Sequence, residues 1–176
     1  MLGLEPFFFV FRLIHILGGV AWAGGVFTFV VFVQPSAAAI GPAAGPMMGQ
    51  LLGARKLVDR FLLLAGITIV AGLVMYVKLW SDAGSFGDWI GSNYGLAITI
   101  GMVTAIAAAS IGLFVTRPNV GALMGLQRQI AEGGGPPSPE QGAEIARRQA
   151  TLKVGGRVAL SLLVVTVVTM ATARTW

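Results

Sequence analysis

Leu13 to Val33 is a stretch of 21 residues without a single Asp, Glu, Lys or Arg. As a helix rising about 1.5 Å per residue, it matches a hydrocarbon core of about 30 Å. Three further apolar runs follow, Phe61–Val77, Tyr94–Val115 and Val154–Thr172. With 56% hydrophobic and only 11% charged residues, the chain lacks the polar surface of a soluble domain, where about a quarter of residues are charged. The expected fold class is therefore all-α, a polytopic membrane protein built as a four transmembrane helix bundle. One transmembrane domain covers 1–176, with spans at about 7–34, 58–80, 94–116 and 153–173. The loops 35–57 and 117–152 join them in pairs.

The first run is expected to be retained as a span. A signal peptide opens on basic residues and has an apolar region of about 7–15 residues. Here the opening is acidic and aromatic (Glu5, Phe7, Phe8, Phe9), and the apolar run is longer.

Polar residues inside the runs are few. His15, the only histidine, lies one turn inside the first span, with Arg12 at its edge, where a long stem can snorkel to the interface. His15, Gly19 and Trp22 share one helical face, and Gly18 and Gly25 flank it, so that a neighbouring helix can approach closely. In the third span, Gly101, Ala105 and Ala109, with Ala108 and Gly112 beside them, form a small-residue stripe. In the fourth, Ser161, Thr166, Thr169 and Thr172 supply hydroxyls for carbonyls of their own helix or of a neighbour.

The connections are uneven. The stretch from Gln34 to Leu57 reads as a loop punctuated by Pro35, Pro42 and Pro46, with a short interfacial helix on Met47, Met48, Leu51 and Leu52. Ser81–Asn93 reads as a polar turn with Asp82 and Asp88 solvated. Asn119–Glu132 reads as a helix broken by glycines, followed by the flexible Gly133-Gly-Gly-Pro-Pro. Ser138-Pro-Glu-Gln141 has the form of a capping box, and Glu144 and Arg148 are spaced as an ion pair on the helix it starts.

Composition and motifs exclude several function classes. The net charge of +5 does not indicate nucleic acid, because the bases flank apolar runs and form no face interleaved with aromatics. There is no cysteine for a disulfide or a thiolate metal site. No serine–histidine–carboxylate grouping, phosphate loop or intramembrane carboxylate is present, and no repeated halves of broken helices of the kind transporters use.

Arg12-Leu-Ile-His15, followed by Gly18, Trp22, Gly24-Gly25 and Pro35, resembles the first helix of the copper-resistance D-like superfamily of small bacterial four-helix integral membrane proteins. The membrane-bound protoporphyrinogen oxidase family has a similar histidine-tryptophan-glycine opening helix. In this chain Gln34-Pro35 stands where that family carries an arginine and a further histidine. The resemblance implies handling of haem or copper in the outer half of the bacterial inner (plasma) membrane, and His15 is the position to which it transfers.

Two readings of different class follow. In the first, the chain is a non-enzymatic accessory or self-associating subunit of a membrane complex, its partners being the lipid bilayer, further copies or other membrane subunits. His15 then hydrogen-bonds a neighbouring helix, with Ser161, Thr166 and Thr169 as candidate partners, and Trp22 is a core residue. In the second, His15 is a haem b or copper ligand, Arg12 pairs with a propionate and Trp22 walls the cofactor. A second axial ligand would come from Met75, Met102 or Met170.

Topology follows from charge. The two long loops and the helix ends beside them carry Arg55, Lys56, Arg60, Arg117, Arg128, Arg147, Arg148, Lys153 and Arg157, against Arg12, Lys78 and Arg174 at the opposite side. Bases gather in the cytoplasm, which places both termini outside it. A reporter fused after Trp176 is expected to be active outside the cytoplasm, and a cytoplasmic C-terminus would overturn the orientation.

Overall fold

A computed structural model describes residues 6–175, and within them every element is helical. The elements are α1 (Pro6–Thr28), α2 (Gln34–Ile40), α3 (Gly45–Met48), α4 (Leu57–Asp82), α5 (Phe86–Gly91), α6 (Asn93–Ile111), α7 (Arg117–Gly133) and α8 (Pro139–Thr172). Four helical stretches are long and apolar enough to cross a membrane: Pro6–Ala54, Leu57–Asp82, Asn93–Gly133 and Pro139–Thr175. Their outward faces carry large apolar side chains such as Val20, Leu63, Val70 and Phe114, while Ala65, Ala97 and Ala108 are buried. That is the reverse of a soluble bundle and is what lipid as solvent requires.

Helices α1 and α4 form one antiparallel pair, α6 and α8 the other, and the pairs meet through α4 with α6 and α1 with α8. In the first pair, large and small residues alternate across the seam. A Cβ on Gly72 would lie 2.8 Å from the His15 ring, one on Gly18 2.6 Å from the Thr68 hydroxyl, and one on Gly25 2.6 Å from Phe61. Between these contacts Trp22 packs in one cluster with Ala65. Positions 15, 18, 22 and 25 thus meet 72, 68, 65 and 61 in a seam of alternating three- and four-residue steps, as in antiparallel knobs-into-holes packing.

Trp22 is 5% exposed and reaches the centre of the bundle, where its cluster includes Ala65 of α4, Ala105 and Ala108 of α6, and Leu163 of α8. The expected small-residue stripe of α6 faces inward. A Cβ on Gly101 would lie 2.7 Å from Met170 and 2.9 Å from Thr169. Below it, the Thr104 and Thr166 hydroxyls bond each other at 2.8 Å. Thr166 and Thr169 also donate to carbonyls of their own helix, whereas Ser161 faces outward.

The connections correct the sequence reading in three places. First, residues 34–54 are helical in short pieces, and Pro35, Pro42 and Pro46 each fall in the first turn of a new segment, where proline is well accepted. The turn between segments is made at Gly41, whose φ of 69° suits glycine. Second, 81–93 is no simple turn. α5 is capped by the Ser85 hydroxyl, which accepts from the Asp88 N–H, and it buries Trp89 edge-on between Tyr76 and Tyr94. Gly95 lets this helix lie directly on α6, since a Cβ there would collide with the Trp89 carbonyl. Asp88 accepts from Ser85 and Asp82 pairs with Lys78 at 2.8 Å. Third, α7 runs unbroken through Gly121 and Gly125, its Val120 and Leu123 buried. The Ser138–Gln141 capping box forms as expected and starts α8. A bond from Arg147, with Arg148 close by, holds the Glu144 carboxyl below the usual carboxylate range.

The structure also shows repeated halves that the sequence reading missed. α1 leaves its span through a π turn, Phe29–Val33, followed by Pro35; α6 leaves through a π turn, Gly112–Thr116, followed by Pro118. In each, the N–H ahead of the proline reaches back five residues, Gln34 to Phe29 and Arg117 to Gly112. Proline withdraws one N–H and its ring pushes on the carbonyl four residues back, and the widened turn accommodates both. Gly18, its π turn and Pro35 stand in the same spacing as Gly101, its π turn and Pro118, and each glycine faces a threonine of the paired span. Both π turns lie at the end of the bundle that carries the long connections, not at mid-span.

Ala105→Leu is expected to lower the melting temperature in detergent, since overpacking of this kind costs about 1–3 kcal/mol. An unchanged melting temperature would mean that Ala105 does not face the core.

Candidate functional site

The polar site inside the spans is built around His15. α1 is helical from Pro6 and apolar on all sides, so an imidazole one turn inside must find its partner on a neighbouring helix or face lipid. His15 Nδ1 lies 2.8 Å from the backbone carbonyl of Thr68 on α4. A carbonyl only accepts, so Nδ1 carries the proton and donates; in the neutral ring Nε2 is then left with a lone pair. Thr68 O also closes its own helical turn, so the imidazole shares an acceptor already in use.

Gly72 makes this contact possible. A Cβ there would sit 2.8 Å from Cε1 and 2.9 Å from Nδ1 of His15, so that only a glycine admits the ring against the α4 backbone. Thr68 stacks below it, 6% exposed, with its hydroxyl over Gly18 and its methyl 3.6 Å from where a Gly19 Cβ would be. The Thr68 hydroxyl has no hydrogen-bond partner. Trp89 Nε1 is the other buried polar atom without a partner.

The residues singled out with His15 do not converge on it. Arg12 is exposed and forms no ion pair among the described residues. Trp22 lies seven residues along the same helix, roughly 10 Å from His15, inside the core and not at the imidazole. Met170 packs over Gly101 in the other helix pair. Ser161, Thr166 and Thr169 are not the partners of His15, because they belong to α8, while its face of α1 is applied to α4. The residues sequence reasoning missed are Thr68 and Gly72. Their signal was a threonine and a glycine one turn apart on an otherwise apolar span, the same kind of pair that the first span presents to them.

A haem or a copper ion of the kind the first helix suggests can be tested against this donor set. Among the described residues no three or more His, Cys, Asp or Glu side chains gather, so a closed copper site does not fit. A single axial imidazole is chemically available at Nε2, with the other ring nitrogen anchored on a carbonyl, as is usual for ligating histidines. Such a group would supply redox or ligand-binding chemistry, and what this chain contributes is one oriented imidazole.

No protein-family profile, curated protein or solved structure matches the chain.

Gly72→Ala is expected to lower the melting temperature by the equivalent of about 1–3 kcal/mol, through collision with the ring. His15→Ala alone should cost less, because an interhelical hydrogen bond in a membrane averages about 0.6 kcal/mol. Combined, the two should recover most of the loss. Strictly additive effects would show that the ring and the glycine are not in contact.

Proposed function

We propose that the chain is a non-enzymatic integral membrane protein of the bacterial inner membrane, acting as an accessory or self-associating subunit, with both termini outside the cytoplasm. The observation that carries this reading is the use made of His15. The single imidazole of the chain ties α1 to α4 through the Thr68 carbonyl, and its ring is packed on Gly72. A residue type that is costly in lipid and often functional is here engaged in holding two spans together. The hydroxyls of Thr104, Thr166 and Thr169 are likewise engaged between or within helices. The asymmetry of Lys and Arg between the two ends supports the orientation.

A second reading rests on one specific feature, the free Nε2 lone pair of a half-buried ring whose tautomer is set by the Nδ1 bond. Together with the resemblance of Arg12–Pro35 to the copper-resistance D-like first helix, it supports a haem b held by His15. Arg12, one turn toward the terminal end, is the base that would pair with a propionate.

The deciding measurement is an absorption spectrum with metal analysis on protein purified from its native membrane. The first reading expects a colourless protein that co-purifies with membrane subunits or migrates as an oligomer. A Soret band that His15→Ala abolishes, with helicity unchanged, would replace it by the second.

A further inference from the structure

The two helix pairs leave two apolar grooves on the lipid-facing surface, one between α1 and α8 and one between α4 and α6. By the repeat described above they are equivalent in position, but they end differently. The α4–α6 groove, lined by Leu62, Gly66, Ile106 and Leu113, is closed at the long-connection end by charge. There Arg117, one turn beyond Leu113, bonds Asp59, one turn before Leu62, at 2.8 Å. The pair itself carries no net charge, and Arg55, Lys56 and Arg60 lie beside Asp59 in the chain.

The α1–α8 groove is lined by Ala23, Gly24, Phe27, Leu160, Val164 and Val168, among others. A Cβ on Gly24 would meet nothing within 4 Å, so the α1 wall is hollow there. At the long-connection end the two helices close together, Gly156 lying against Val30 and Gln34. Beside this closure, on the same face of α8 as Leu160 and Val164, stand Arg157 and, one further turn along, Lys153. Both are exposed, and neither forms an ion pair among the described residues. An apolar channel of acyl-chain character thus ends at two unpaired cations near the end of the fourth span, where long basic side chains can snorkel toward a headgroup phosphate.

We propose that this groove binds one anionic phospholipid of the leaflet at the long-connection end, an acyl chain between α1 and α8 and the headgroup phosphate on Arg157 and Lys153. Charge selects the occupant. A zwitterionic lipid with the same chains would fill the groove equally but leave the bases without a net counter-charge. The site is independent of any role of His15.

The test is native mass spectrometry of the full chain, delipidated and then offered equal phosphatidylglycerol and phosphatidylcholine of identical acyl chains. The wild type is expected to retain one phosphatidylglycerol with a preference of roughly tenfold or more, each interfacial base contributing a factor of about five. Lys153→Gln with Arg157→Gln should bring the preference close to one. Lys56→Gln with Arg60→Gln, which removes the same charge from α4, should leave it intact. Gly24→Leu, which fills the hollow, should reduce retention of both lipids while sparing the fold. If the double α8 variant does not fold, Arg157→Gln alone should lower the preference about fivefold. Equal retention of both lipids by the wild type would overturn the proposal. So would an equal loss in the α4 variant, or a lipid-free dimer that covers the groove.

Discussion

The packing of this bundle depends on one indole placed on its axis. Lipid chains are as apolar as the helices, so helix association here gains little from the hydrophobic effect and rests on close packing and interhelical hydrogen bonds. Trp22 supplies a large surface for such packing, and it shares one buried cluster with Ala65 of α4, Ala105 and Ala108 of α6 and Leu163 of α8. The two helix pairs are tight internally and touch each other less, so a core cluster with members from all four spans fixes how one pair sits on the other. Bulk at any of the alanine positions would push a whole helix away, since a packed interior does not deform continuously.

Along the first seam the same principle is written as alternation: His15 on Gly72, Thr68 on Gly18, Trp22 with Ala65, Phe61 on Gly25. Bulk from one helix fills a gap in the other, which sets both register and spacing. The imidazole adds a directional bond to this fit. Its Nδ1–H has the Thr68 carbonyl, so the polar group that lipid would penalise most is satisfied at the helix interface. The second seam solves its polar problem differently. The Thr104 and Thr166 hydroxyls meet each other, one donating to the other, and the acceptor hydroxyl gives its own proton to a carbonyl of its helix.

Prolines shape the ends. Pro35 and Pro118 do not stop their helices, because the five-residue bonds of the preceding π turns absorb the loss of an N–H and the bulk of the ring. The chain therefore leaves both odd-numbered spans as helix, and α7 and α8 continue as a pair beyond the apolar region. The two halves share this layout without sharing chemistry at their junctions with the even-numbered spans. An ion pair between Asp59 and Arg117 spans one junction, and unpaired Lys153 and Arg157 stand at the other.

Helix class, the number of long apolar helices and the inward face of α1 were legible in the sequence, because each depends on local composition and the helical repeat alone. A 21-residue run without charge admits few structures in lipid, and glycines spaced with a tryptophan on one face mark where a helix must be approached. The Ser138 capping box was legible for the same reason, its partners being three residues apart. Which helix meets that face was not local information. His15 pairs with Thr68 and not with the hydroxyls of α8, because the register of α1 on α4 is set by the fit of Trp22, Phe61, Gly18 and Gly72 together. The burial of Trp89 on α5, the helical path through three prolines, the repeated π turns and the different ends of the two grooves likewise depend on how the segments pack together. Spacing along one helix shows what a residue can offer; only the packed bundle decides what it touches.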